Sequence, residues 1–77
     1  MDFERLTNDF SIFGNVNYLN YNGEDTERIL IVISDFNNSV MNMRSYNDLV
    51  AIEIAPLYPK TEFSIRDNVL KAEYFKS

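Results

Sequence analysis

The chain has no cysteine, no histidine and no tryptophan, and only two glycines and two prolines among 77 residues. Without cysteine no disulfide can staple the fold, and nothing points to a particular redox compartment. Without cysteine and histidine the ordinary zinc sites are excluded. Two glycines do not make a phosphate-cradling loop, and no serine stands in a Gly-x-Ser-x-Gly setting. General acid–base work would fall to carboxylates, tyrosine or lysine, and a chain this short scarcely encloses the cleft such chemistry needs. The expectation is a protein that is not an enzyme and that holds no cofactor and no metal.

Long apolar runs are missing too. No stretch approaches the roughly 18 apolar residues of a membrane span. Met1-Asp2-Phe3-Glu4 is acidic where a signal peptide is basic. A cytoplasmic protein with no membrane partner is therefore expected.

What is present is aliphatic and aromatic. Six Phe and five Tyr give an aromatic share of 14%, so residues 1–77 read as one domain built on an aliphatic and aromatic core. That length is near the lower limit for independent folding, where oligomerisation often adds stability, and a homodimer is compatible with it. The net charge is −5, and it is uneven. Residues 1–35 hold seven acids against Arg5 and Arg28, while residues 36–77 balance five acids with five bases. An acidic half repels nucleic acid and favours basic partners, although a modest net charge also simply keeps a protein soluble.

The chain organises around Ile29–Ile33, five consecutive aliphatic residues of which four are β-branched. Too short for a free helix, this run favours an extended strand, central in the sheet and covered on both faces. Ahead of it, Phe3, Leu6 and Phe10 lie on one face of a short helix over Asp2–Phe10, with Asp2 available as N-cap and Gly14 closing the following connection. Asn15–Tyr21 alternates as a strand does, with Val16 and Tyr18 on one side and Leu19 and Tyr21 on the other. Asn22-Gly23 is a strong hairpin signal leading into the Ile29–Ile33 strand, through either a two-residue turn or a longer loop.

Beyond it, Asn37-Asn38 can turn the chain into a short strand containing Val40, Met41 and Met43. The alternative is a helix of one or two turns over Val40–Arg44, capped by Asn38 or Ser39. Asp48–Ala55 reads as a strand, with Val50, Ile52 and Ile54 on one face and Leu49, Ala51 and Glu53 on the other. Pro56-Leu57-Tyr58-Pro59 then forms a stiff connection. Thr61–Arg66 and Val69–Phe75 flank Asp67-Asn68, a pair suited to a type I′ turn. A two-residue turn sets Ile65 opposite Leu70, Phe63 opposite Ala72, Thr61 opposite Tyr74 and Ser64 opposite Lys71. The expected fold is α+β: a five- to six-stranded antiparallel, mostly meander sheet with one short N-terminal helix packed on it. A small all-β barrel is the alternative.

Glu24-Asp25-x-Glu27 lacks the ordered ligand positions of a calcium loop and reads as a solvated turn. Lys60, Arg66, Lys71 and Lys76 stand among Phe63, Tyr74 and Phe75, which admits a single-strand nucleic-acid-binding β-module. Glu62, Asp67 and Glu73 offset most of that charge, so direct contact with nucleic acid is not expected. What remains is a protein-binding surface made of Leu19, Tyr21, Glu24, Asp25 and Glu27. The apolar pair would anchor, and the acidic tip would steer toward a protein partner with a basic surface. A sharper version is a phage- or mobile-element-type inhibitor that mimics DNA charge on a nucleic-acid-handling protein, as anti-restriction and anti-CRISPR proteins do. That rests on size and charge alone. A structural or accessory subunit that assembles with itself through a sheet edge is the competing class.

Overall fold

The computed structural model describes residues 3–22, 27–36 and 40–76. Among them are two α-helices, α1 (Phe3–Phe10) and α2 (Val40–Glu53), and a 3-10 turn over Ser11–Phe13. The same residues form four strands: β1 (Asn15–Asn22), β2 (Glu27–Ser34), β3 (Lys60–Arg66) and β4 (Val69–Phe75). They form one open antiparallel sheet in the order β1-β2-β4-β3. Because β2 and β3 are both antiparallel to β4, they run parallel to each other, joined through α2 with β4 between them.

The α+β class is as expected, but the sheet has four strands rather than five or six, and its order is not that of a meander. Two segments account for the difference. Residues 40–43 and 48–53, both read as strands, belong to the single helix α2. The open sheet and second helix also replace the all-β barrel. Asn38 and Ser39, the candidate caps for a helix starting here, and Asp2, the candidate cap of α1, lie outside the described residues.

Both helices cover the same side of the sheet. Ile29, Ile31 and Ile33 of β2 and Leu70, Ala72 and Tyr74 of β4 are at most 1% exposed, and burying each large aliphatic side chain contributes about 1.5–3 kcal/mol. They form one core with Leu6 and Phe10 of α1, Phe13, Phe36, Tyr46 of α2 and Ile54 just after it. Tyr46 is its hub. Its ring centroid lies 5.3 Å from that of Phe10, 5.5 Å from Phe13 and 6.0 Å from Phe36, all edge-on. Edge-on pairs of this kind add about 0.5–1.5 kcal/mol each beyond the area they bury. One residue of α2 thus holds α1, the 3-10 turn and the segment after β2 against the sheet.

Local chemistry fixes the ends. Gly14 (φ +154°) turns the chain from the 3-10 turn into β1. Pro56 follows α2, whose last turn closes with Ala55 N–H donating to Val50 O at 2.8 Å. Arg5 of α1 pairs with Glu53 of α2 at 2.9 Å, an exposed contact worth little by itself. Phe36 N–H donates to Asn68 O at 2.8 Å, tying the segment after β2 to the β3–β4 turn.

The β3–β4 hairpin has the expected register at every position, Ile65–Leu70, Ser64–Lys71, Phe63–Ala72 and Thr61–Tyr74 included. Asp67 and Asn68 both have positive φ, 52° and 60°, as a type I′ turn requires. Asn tolerates that conformation and a β-branched residue does not. Asn68→Val is therefore expected to lower stability by about 1–2 kcal/mol, while Asn68→Gly leaves it unchanged or slightly raised. Urea unfolding midpoints of the two variants check this, and equal midpoints would contradict the turn assignment. The β1–β2 hairpin forms as well, with Asn22 opposite Glu27. Its connection is therefore residues 23–26, not a two-residue Asn22-Gly23 turn.

Candidate interaction surface

Since α1 and α2 share one side, the other side of the sheet carries no helix among the described residues. Strand alternation assigns it Asn15, Asn17 and Leu19 from β1, Arg28, Leu30, Val32 and Ser34 from β2, Val69, Lys71, Glu73 and Phe75 from β4, and the even-numbered residues of β3. Leu19 is 55% exposed. It lies directly opposite Leu30, which has Glu73 on its other flank. Leu30, Val32, Val69 and Phe75 are half-buried. The result is an apolar strip, Leu19–Leu30–Val32, with Phe75 diagonal to Leu30.

This corrects one expectation. Ile29–Ile33 is central, but it is covered on one face only. Leu30 and Val32 are the residues that sequence reasoning assigned to a second buried face, and they are the middle of the strip. A signal was available: Ser64 and Lys71 make the same side of the adjoining hairpin polar, which an uncovered face requires.

The five residues picked out from the sequence are not all brought together. Leu19 stands on the open face, and the backbone of Tyr21 pairs with that of Arg28. Glu27 lies on the other side, in line with Ile29, Ile31 and Ile33. Its carboxylate accepts from Lys76 Nζ at 3.1 Å, and its backbone oxygen accepts from Lys76 N–H at 3.0 Å. Glu24 and Asp25 lie outside the described residues.

The charges on the open face are mixed, with Arg28, Lys60, Arg66 and Lys71 against Glu62 and Glu73. Arg28 bridges Glu73 at 3.0 Å. The aromatic residues of the C-terminal hairpin do not accompany the bases. Tyr74 is 1% exposed in the core, and Phe63 faces the helices, its ring 6.3 Å from that of Tyr46. Only Phe75 of that set is on the open face. A stacking platform for bases needs aromatics and cations on one surface, and here they are largely divided between two.

The perturbed titratable groups are in the core. The Tyr46 and Tyr74 hydroxyls share a hydrogen bond of 2.5 Å. Burial pushes both pKa values up, that of Tyr74 to about 12. Either hydroxyl can donate to the other, and the shared hydrogen bond ties the two protonated groups together. The pair stays protonated at neutral pH and positions α2 over β4. Among the described residues no group of three or more acidic side chains is placed to hold a metal ion, and no helix is long and apolar enough to cross a membrane. No protein-family model matches the chain, and neither a curated protein nor a solved structure is found to be similar to it.

Proposed function

We propose that this is a non-enzymatic protein-binding domain that docks through the uncovered face of its sheet. One observation carries the reading: both helices pack on one side, leaving Leu19 with the half-buried Leu30, Val32 and Phe75 as a continuous apolar strip on the other. Such strips, rimmed by polar side chains, mark contact sites on small soluble domains. The strip supplies contact and the charge of −5 supplies long-range attraction, so the partner is a protein with a basic surface around an apolar centre.

Photocrosslinking from position 19, compared with position 52 on α2, tests the face. Ile52 is 73% exposed on the helix side and serves as the control. A single protein is expected to crosslink from position 19 and not from 52, and Leu19→Lys is expected to weaken its binding about tenfold or more. Crosslinking from 52 alone, or full binding by Leu19→Lys, overturns the proposal. The inhibitor form of this reading adds one requirement: an oligonucleotide must compete with the protein for the partner. It also predicts that Glu24→Lys/Asp25→Lys abolishes that competition.

A further inference from the structure

We propose that the free edge of β3 pairs antiparallel with β3 of a second copy of this chain, in the register that sets Ser64 opposite Ser64. The proposal concerns the sheet edge and stands independently of the open-face reading.

Every residue of β3 is exposed except Ile65, which is half-buried, and α2 leaves Phe63 45% exposed. A groove lined by Met43, Val50 and Phe63 runs beside the strand. The backbone of β3 has a defined polarity. A two-residue turn makes Arg66 and Val69 a hydrogen-bonded pair, so the even residues Arg66, Ser64 and Glu62 bond to β4. Thr61, Phe63 and Ile65 then direct their N–H and C=O groups to the open edge. A partner strand must meet those three.

Symmetric antiparallel registers can be compared by charge. Centring on Phe63 sets Lys60 against Arg66 of the second copy, and centring on Glu62 sets two glutamates face to face. Both are disfavoured, because like charges directly opposite repel. Centring on Ile65 pairs no charges, and centring on Thr61 sets Lys60 against Glu62 but engages only the first three residues of the strand, with Pro59 beyond them unable to donate. Centring on Ser64 sets Glu62 against Arg66 of the second copy and Arg66 against its Glu62. It also satisfies the backbone: Phe63 and Ile65 become hydrogen-bonded pairs across the axis, both on the helix side, where each completes cover for the other. The charged pairs fall at non-hydrogen-bonded positions, where opposing side chains are closer.

A second observation favours this register. Glu62 lies opposite Glu73 within the molecule. Arg28 neutralises Glu73 at 3.0 Å, whereas among the described residues no cation is at ion-pair distance from Glu62. The second copy's Arg66 supplies that cation. The other edge, β1, has no charged residue at all from Asn15 to Asn22, so nothing there selects a register in the same way. Edge charges usually keep strands apart, and here their order makes the edge complementary to itself. The two-fold axis is then normal to one continuous sheet, with both open faces on the same side.

Analytical ultracentrifugation from micromolar to millimolar chain is expected to show the mass rising from 9.0 kDa to twice that value. Glu62→Arg and Arg66→Glu are each expected to weaken self-association about tenfold or more, since each replaces two opposite-charge pairs by two like-charge pairs. An equal mixture of the two variants is expected to recover it as a heterodimer, which also shows that both are folded. The absence of cysteine gives a further test. Non-hydrogen-bonded partners have Cα atoms about 4.5 Å apart, within disulfide range, so Ser64→Cys is expected to oxidise to a covalent dimer faster than Asn17→Cys on β1. A monomer throughout the concentration range, a dimer indifferent to the charge reversals, or faster oxidation at position 17 each overturns the proposal.

Discussion

Gly14→Ala is expected to destabilise the protein by about 3 kcal/mol or more, a large fraction of the total for a domain of this size. Two effects act together. The backbone at Gly14 has φ +154°, a conformation that costs an L side chain about 1–3 kcal/mol. A Cβ there would also collide with the carbonyl oxygen of Ser34 and stand 2.8 Å from Ile33 Cγ2. Neither obstacle yields easily, because Ser34 and Ile33 are paired with Asn15 and Val16 and Ile33 is fully buried. Overpacking adds about 1–3 kcal/mol. Urea unfolding followed by far-UV circular dichroism measures the loss, with Asn17→Ala on the exposed face as a control expected to shift by about 0.5 kcal/mol or less. A Gly14→Ala protein as stable as that control would show that the corner between the 3-10 turn and β1 is not built this way.

The second large effect belongs to the tyrosine pair. Tyr74→Phe leaves the Tyr46 hydroxyl buried without its hydrogen-bond partner, which costs about 1–3 kcal/mol. Tyr46→Phe strands the Tyr74 hydroxyl in the same way and is expected to cost a similar amount. Removing both hydroxyls eliminates the unmet partner, so the double variant is expected to be more stable than the sum of the single losses implies. Additive losses would mean that the hydroxyls do not interact.

The same pair sets an alkaline limit. Tyr74 has its folded pKa raised to about 12 from an ordinary value of 10.0. Its protonated form is thus favoured by folding, and the stabilisation, on the order of 2–3 kcal/mol, is fully present below about pH 10. It is lost as the pH rises from there through 12. Alkaline unfolding of the wild type is expected in that window, with tyrosinate absorbance and loss of helical signal moving together. The Tyr46→Phe/Tyr74→Phe variant is expected to unfold at higher pH.

How far the sequence could be read depended on which interactions set each segment's conformation. The β3–β4 hairpin was legible residue by residue, because a two-residue turn with local chemistry of its own fixes the register. Leu6 and Phe10 were legible on α1 for a similar reason, as one period explains both. Helix α2 was not. Its buried and half-buried residues Met43, Tyr46 and Val50, with Ile54 in the turn just after it, follow helical spacing, but Ile52 is 73% exposed and interrupts it. With Val50 and Ile54, that one outward isoleucine makes an alternation indistinguishable from a strand. Tertiary packing around Tyr46 decides the outcome, and no local propensity announces it.

The residues proposed for binding show the same division. Alternation within β1 separates Leu19 from Val16 and Tyr18, but which of the two faces is open is not legible in that strand alone. Glu27 was grouped with Leu19 through nearness in sequence, yet strand parity puts it on the opposite side, beside Lys76. Leu30 and Val32 were hidden by their own neighbours. A run of five aliphatics looks buried on both sides, and only the position of α2 reveals that one side is open.

The strand order has a consequence for synthesis. β4 lies between β2 and β3 although it follows both in the chain, so β2 has only β1 beside it until residues 69–75 have left the ribosome. Over that interval the nascent chain presents one unpaired edge of Ile-Leu-Ile-Val-Ile, with α1 and α2 lacking the half of the sheet that Leu70 and Tyr74 provide. The contacts that close the core join residues more than forty positions apart, as Ile29 with Tyr74 and Ile31 with Ala72 show. Folding is thereby delayed toward the end of this segment's translation, and nascent-chain aggregation is the hazard that a chaperone on the emerging β2 would relieve.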